Sequence, residues 1–367
     1  MSSSKLFSPA QLGPIHLRNH VVMAPMTRSR AIGNVPQDIT ATYYEQRASA
    51  GLIITEGTSP SPNGLGYARI PGVFTHEQAT AWRKVTDAVH NRGGKIFVQL
   101  MHTGRVTHQD NLPAGGQVLA PSSIIAPGDM WTDQGGMQKN TEPVTMTEAQ
   151  IKTAIAEFAE AARLAVEEGG FDGVELHAAN GYLLEQFLHP AANERTDEYG
   201  GSMENRSRFV LEVTAAVVQA IGKDRLGIRL SPFGAGGGMP GGFEQAEESY
   251  TYLAEQLNAL DILYLHLVDH SAMGAPPVPA GIFTQIRSAF QNMVILCGNY
   301  DRARAEAALS NGEADLIAFG RPFLANPDLV ERLADDAPLA QPDFNKFYTP
   351  GPEGYIDYPA LVEATPG

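Results

Sequence analysis

The stretch GFDGVELHAANGYLLEQFLHP, residues 170–190, decides how this chain folds. Its apolar run at 174–176 is bounded by glycine and is too short for an ordinary helix, so it reads as a buried strand. The run ends in His177, and Asn180 and Tyr182 follow at once. Residues 182–188 then place apolar side chains at helical spacing. A strand therefore hands over to a helix across a polar trio. His177 and Asn180 can each donate a hydrogen bond to one oxygen, and Tyr182 carries a transferable proton. That set suits a reaction that polarises a carbonyl and protonates a nearby carbon.

The same strand-then-helix unit recurs on both sides of this segment. Short apolar runs fall at 21–23, 52–54, 96–100, 173–176, 226–230, 262–267, 294–296 and 316–319, eight in all. Helical patterns lie between them, clearest at 77–91, 147–168, 204–221, 244–260, 282–290 and 302–310. Thr147 with Gln150 forms a capping-box signature, and Gly169–Gly170 ends the same helix. Strands alternating with helices imply parallel pairing through crossovers, and eight units predict a closed (β/α)8 TIM barrel in one domain spanning 1–367. The opening residues, with short β-like pieces around Gly13–Pro14, fit a hairpin that closes the barrel bottom. The connection at 102–146 is abnormally long and leaves the carboxyl end of a strand, so it reads as a cap over the site. The tail at 344–367 carries Phe347, Tyr348, Tyr355 and Tyr358 and is expected to pack back on the barrel.

The chain has 367 residues, of which 43% are hydrophobic and 18% charged, so a large core is possible. Its net charge of −15 disfavours nucleic acid and anionic membrane surfaces as partners. The single cysteine, Cys297, excludes an intrachain disulfide, an all-cysteine iron–sulfur cluster and a four-cysteine zinc site. No run of 18 apolar residues and no signal-like N-terminus is present, which predicts a cytoplasmic protein. Small-molecule substrates are the expected partners, and the chain is expected to act as a monomer or homodimer.

A barrel puts functional side chains where strands end. Those ends offer Pro25, Met26 and Thr27; Glu56 and Gly57; Gln99 and His102; His177, Asn180 and Tyr182; Arg229; His266; Gly298 and Asn299; Gly320 and Arg321. Glycines after the seventh and eighth strands, with an arginine, make the usual phosphate-binding corner of such barrels. Thr27, Gln99 and Arg229 together could hydrogen-bond the edge of a polar heterocycle, and a cationic Arg229 would stabilise a ring that becomes anionic on reduction. That pattern suits FMN better than a sugar phosphate.

At this point the chain resembles the old yellow enzyme family of FMN-dependent ene-reductases, and within it the N-ethylmaleimide and pentaerythritol tetranitrate reductase branch. The matching pieces are NHVVMAPMTRSRA, GLIITEGT, FVQLMHTGR, FDGVELHAANGYLLEQFLHPAANERTDEYGGSMENRSRF, IRLSPFG, AFGRPFLANPDL and EGYIDYP, in order along nearly the whole length. The resemblance implies bound FMN and NADPH or NADH as reductant. It implies that His177 and Asn180 bind the substrate oxygen and that Tyr182 donates a proton. It assigns Thr27 to tuning the flavin, Gln99 to the pyrimidine amide, Arg229 to the flavin anion, and Gly298, Asn299, Gly320 and Arg321 to the phosphate. Pro25, Met26 and Gly57 complete the cofactor set, and Tyr67, Met101 and Tyr348 join the trio in lining the substrate pocket. Met101 replaces a bulkier aromatic, and Gly57 stands where alanine is common, which bears on substrate range. Thr27 in place of a cysteine argues against the thermophilic-like branch.

Blander readings compete at several positions. No metal site is expected: His102 and His108 lack a carboxylate at ligand spacing, and His266 and His270 straddle a strand end. The run GGGMPGG at 236–242 lacks the residues of a phosphate loop and reads as a mobile βα-loop. Arg195, Arg206 and Arg208 interleave with Asp197, Glu198 and Glu204 as a salt-bridged loop on the rim. Cys297 reads as a small apolar residue. Glu175 shares strand parity with His177 and needs a buried partner, for which Arg229 is the candidate. Two other functions stay open: a related flavin enzyme specialised for nitrate esters, nitroaromatics or oxylipin enones, and a flavin-free aldolase or isomerase. The latter lacks a lysine at the right end of a strand.

Overall fold

The computed structural model describes residues 4–361, so the end of the tail, 362–367, lies outside the described residues. Strands β1 (Val21–Met23), β2 (Leu52–Thr58), β3 (Ile96–Leu100), β4 (Gly173–Ala178), β5 (Leu226–Leu230), β6 (Tyr264–Val268), β7 (Met293–Cys297) and β8 (Leu316–Phe319) pair in parallel in chain order, and β8 returns to β1. The expected closed barrel is therefore present. β1, β3, β5 and β8 coincide with the runs read from sequence. β2 and β4 run further, so Glu56, Gly57 and His177 lie inside strands, not beyond them. The extension of β2 passes a register shift between Ile54 and Gly57.

Helices α1 (Asp38–Glu45), α2 (His76–Asn91), α3 (Glu148–Glu167), α4 (Leu183–Leu188), α5 (Met203–Ile221), α6 (Ala246–Ala259), α7 (Ile282–Ala289), α8 (Arg302–Ser310), α9 (Arg321–Ala325) and α10 (Leu329–Ala334) surround the strands. Thr147 caps α3 as expected, accepting from the Gln150 amide while the Gln150 side chain returns to the Thr147 N–H. α1, α9 and α10 carry no clear helical pattern in the sequence. α1 turns only Thr40, Tyr43 and Tyr44 inward, too few for a distinct apolar stripe.

The barrel interior packs Val22, Leu52, Ile54, Phe97, Tyr264, Ile295 and Leu316 against Leu12 and Leu17. Those two leucines come from the antiparallel hairpin Ala10–Leu12 and Ile15–Leu17, which plugs the amino-terminal end of the barrel. Each such side chain, fully buried, contributes about 1.5–3 kcal/mol. Gly227 is required here: a Cβ would lie 2.2 Å from the Tyr264 ring, which fills the space beside β5.

The segment between β3 and α3 is not structureless. It contains the hairpin Asp129–Thr132 and Gly136–Lys139, and Leu119–Ala120 pairs in parallel with Val144–Thr145. Val106, Ala126 and Met130 from this segment pack on Tyr67 and Tyr182. The tail is tied down by two buried guanidinium groups that follow β1. Arg28 donates to Gly354 O at 2.7 Å, and Arg30 donates to Lys346 O, Phe347 O and Gly351 O, each at 2.9 Å. Tyr355 stacks on Tyr43 with ring centroids 4.1 Å apart. Phe344 and Tyr348 stay exposed.

Candidate active site

The ends of β4, β5 and β6 meet because His177 pairs in register with Arg229, and Arg229 with His266. Beyond β4 the backbone turns sharply at Asn180, whose φ is 60°, and at Gly181, whose φ is 83°. A side chain at 181 would lie 2.3 Å from Gly236 O, so glycine is needed there. The turn drops Tyr182 onto the amino-terminal boundary of α4 and aims it back over His177. Their rings stand edge to face with centroids 4.8 Å apart. Asn180 Nδ2 is 3.5 Å from His177 Nε2, and Tyr182 OH is 3.0 Å from Tyr67 OH.

Burial sets the protonation of this trio. Desolvation, with the Arg229 charge adding to it, holds the His177 pKa well below its ordinary value, so the ring is neutral. Desolvation, with Tyr67 beside it, holds the Tyr182 phenol well above 10, so it keeps its proton at neutral pH. His177 Nδ1 and Arg229 Nε are buried and make no hydrogen bond among the described residues. Buried polar atoms are seldom left so, and the Arg229 N–H fits a ligand with a carbonyl or anionic edge, as the pyrimidine side of FMN has.

Behind these groups lies a buried acid with a full set of donors. Glu175, in β4, accepts from Gln99 Nε2 at 2.8 Å, Tyr264 OH at 3.1 Å and His266 Nδ1 at 2.8 Å. This corrects the expected partnership with Arg229, which instead donates to Cys297 Sγ at 3.7 Å. The reason is register: Arg229 sits opposite His177, further toward the rim than Glu175, which faces Gly227. Burial is the largest influence on the His266 pKa and would lower it, but the Glu175 charge together with the hydrogen bonds to Cys297 and Glu175 raises the value. Cys297 is thus no plain apolar filler. Burial would raise its thiol pKa, yet the His266 imidazole and the Arg229 guanidinium beside it hold the value below the ordinary one.

The other predicted residues take their places around the same rim. Pro25, Met26 and Thr27 are half-buried just past β1, and a Cβ on Gly320 would meet Met26 Sδ at 3.8 Å. Gly57 faces Met101, whose Sδ would be 2.4 Å from a Cβ at position 57. The two departures from the family pattern therefore touch each other. At the end of β7, Gly298 passes so close to Asp269 that a Cβ would lie 2.8 Å from the Asp269 Cβ, and Asn299 adopts φ 54°. Arg304 holds both carbonyls of this turn, at 2.8 and 3.2 Å. Cys297 pairs with Ala318, so Gly298 and Asn299 emerge beside Gly320 and Arg321, the residue that opens α9. Tyr348, on the tail, is exposed, and its electrostatic influence reaches Tyr182.

Two further groups escaped the sequence reading. Ser231 Oγ accepts from Asn180 N at 2.9 Å and donates to Glu185 Oε1 at 2.6 Å. Desolvation pushes the Glu185 carboxyl up to about 7. The one signal for it was an acid on the apolar face of a short helix. The GGGMPGG run does lie in the βα-loop between β5 and α6, where it packs on the Asn180–Gly181 turn with Arg105 close to Gly238 O and Met239 Sδ. Arg206 and Arg208 bind mainly carbonyls, of Leu188 and Glu198 among others, and among the described residues only Arg195 of the three pairs with an acid, Asp197. Among the described residues no cluster of three or more His, Cys, Asp or Glu could hold a metal ion, and no helix is long and apolar enough to cross a membrane.

A closed parallel barrel with this equipment at its carboxyl rim defines a (β/α)8 oxidoreductase. Residues 5–340 match the NADH:flavin oxidoreductase / NADH oxidase family, and the chain belongs to it. It is accordingly an FMN-containing, NAD(P)H-dependent enzyme of old yellow enzyme type. Among similar proteins, putative 12-oxophytodienoate reductase 5 of Oryza sativa subsp. japonica is 45% identical, with 96% of this chain and 93% of that protein covered. 12-oxophytodienoate reductase 1 of the same organism is 43% identical over 98% of this chain and 93% of its own length. Morphinone reductase superposes with a TM-score of 0.94 at 44% identity, covering 98% of this chain and 97% of that one. The old yellow enzyme homologue from Zymomonas mobilis gives 0.93 at 40% identity, covering 97% and 100%.

Proposed function

We propose that this enzyme reduces activated alkenes, chiefly α,β-unsaturated carbonyl compounds and also nitro compounds. The observation that carries the reading is the spacing of the trio. Two nitrogen atoms 3.5 Å apart, on His177 and Asn180, can share one substrate oxygen at ordinary hydrogen-bond distance, and a protonated phenol lies edge-on to the same imidazole. When bound, FMN would supply the hydride-transfer chemistry that links the nicotinamide to the substrate's β-carbon. Thr27, Gln99, Arg229, Pro25, Met26 and Gly57 would hold its ring system, and Gly298, Asn299, Gly320 and Arg321 its phosphate.

The chain's own residues do the rest. His177 and Asn180 donate to the carbonyl or nitro oxygen and draw charge out of the alkene, each such donor lowering the barrier by ~3 kcal/mol. Tyr182 gives its OH proton to the α-carbon, and Tyr67 hydrogen-bonds that hydroxyl. We propose that the segment over Tyr67 and Tyr182 caps the pocket and excludes water. Relatives whose names carry an oxo or ketone group, the 12-oxophytodienoate and morphinone reductases, support a carbonyl-bearing substrate of some bulk. The test is phenol binding to the holoenzyme. His177→Ala is expected to weaken it and to lose the long-wavelength charge-transfer band, and an unchanged band at unchanged affinity would overturn the oxygen-binding assignment.

A further inference from the structure

An asparagine side chain can meet a ligand with either end, as donor or as acceptor. At position 180 that choice is made by a neighbour. Asn180 Oδ1 lies 2.7 Å from Nε2 of His270, a buried residue just past β6, while Nδ2 points toward His177. The backbone of Asn180 is pinned independently, by its N–H to Ser231 and by the Ser231–Glu185 bond behind it. With the backbone held, the direction of the amide is left to the side chain's own torsions, and His270 is the group that faces its oxygen. Burial, with the Arg229 charge adding to it, lowers the His270 pKa to about 4, so the ring is neutral and carries one N–H. With the proton on Nε2 it donates to Oδ1 and leaves the NH2 group for the substrate. With an acceptor at that place the amide would turn, and its carbonyl would confront the substrate oxygen.

We propose that His270 is a positioning residue that fixes the Asn180 amide with its NH2 group toward the substrate, and so makes position 180 an oxygen-binding donor. The inference rests on the assignment of His177 and Asn180 to the substrate oxygen. It also gives the segment after β6 a part in the chemistry without touching the substrate.

The test measures the affinity of holoenzyme for p-chlorophenol by its charge-transfer absorbance. Four single variants are compared: Asn180→Ala, His270→Glu, His270→Gln and His270→Leu, with the double variants built on Asn180→Ala. Asn180→Ala is expected to weaken binding roughly tenfold or more, the usual consequence of an unpaired buried polar atom. His270→Glu, which when ionised can only accept, is expected above its carboxyl pKa to weaken it at least as much. His270→Gln, which retains an N–H donor, is expected to restore binding to within roughly threefold of wild type. In the Asn180→Ala background the His270 substitutions are expected to add nothing, because the amide they act through is gone. His270→Leu serves the same comparison if the glutamate variant fails to retain FMN.

If the His270 and Asn180 effects multiply, His270 acts by charge or by general structure, and the proposal falls while the oxygen-site assignment stands. Wild-type binding by His270→Leu and His270→Glu has the same meaning. If Asn180→Ala itself binds phenol normally, the oxygen-site assignment fails, and the proposal with it.

Discussion

Glu175→Gln isolates the buried network behind the pocket. The wild-type carboxylate is fully inaccessible and takes three donors, one from Gln99 on Oε1 and two, from Tyr264 and His266, on Oε2. Glutamine keeps the shape but offers one acceptor oxygen. The least costly arrangement leaves that oxygen with Tyr264 and His266 and turns an NH2 group toward Gln99, whose own amide must then flip. Removing one partner of a buried ion pair costs roughly 3–5 kcal/mol when the other stays charged. His266 can escape by losing its proton, so the expected loss is about 2–3 kcal/mol, near the worth of a charge-assisted hydrogen bond. The sign of the pH dependence follows. The His266 pKa is raised in the folded wild type, so its stabilisation is complete below its unfolded value of about 6.5 and is lost as pH rises through the folded value. In the variant the Glu175 charge is gone, burial and Arg229 prevail over the remaining Cys297 hydrogen bond, the folded value drops below the unfolded one, and stability falls toward acid. Urea unfolding of FMN-saturated protein, followed by circular dichroism from about pH 5.5 to about pH 9, is thus expected to show a gap between the two proteins that is widest at the acid end and narrows steadily toward alkaline pH. The flipped Gln99 amide is expected to weaken FMN binding, read from flavin fluorescence. A gap that does not change with pH, or a variant as stable as wild type on the acid side, would refute the ion-pair reasoning.

Three other outcomes are expected. Tyr182→Phe keeps flavin reduction by NADPH near the wild-type rate in anaerobic stopped flow and slows reoxidation by an enone by roughly 10²–10⁴-fold, and equal slowing of both halves would remove Tyr182 from the acid role. Gly57→Ala puts a methyl group against the Met101 thioether and costs about 1 kcal/mol, the low end for overpacking because methionine yields easily; Met101→Ala in the same chain is expected to relieve it, and additive losses would count against the contact. Arg30→Ala frees the carbonyls of Lys346, Phe347 and Gly351 and is expected to speed tryptic cleavage after Lys346, while an unchanged rate would mean that Arg28 and the Tyr43–Tyr355 stack suffice to hold the tail.

How far such a site can be read from sequence depends on whether a residue's role is local or arises from closure. The trio was legible because the strand, the turn and the helix that place His177, Asn180 and Tyr182 are contiguous, and their periods of about two and about 3.6 show in one short stretch. The barrel was legible for the same reason, repeated. Glu175 was legible only in part. Its parity put it inside, but its partners come from β3, where Gln99 pairs in register with it, and from β6, two strands away across the barrel interior, and Arg229 was the natural guess because it is the nearest cation in the neighbouring strand. The fixed register of parallel strands decided against it. His270 shows the same limit more sharply. In sequence it stood four places from His266 and invited a reading as half of a metal pair, yet the end of β6 sends the two rings apart, one to Glu175 in the barrel heart and one to Asn180 on the rim. Side chains proposed to touch substrate thus announce themselves by type at strand ends. Those that set the orientation of an amide or the charge of an imidazole from the next strand have no signature of their own, and they become visible only when the cylinder closes.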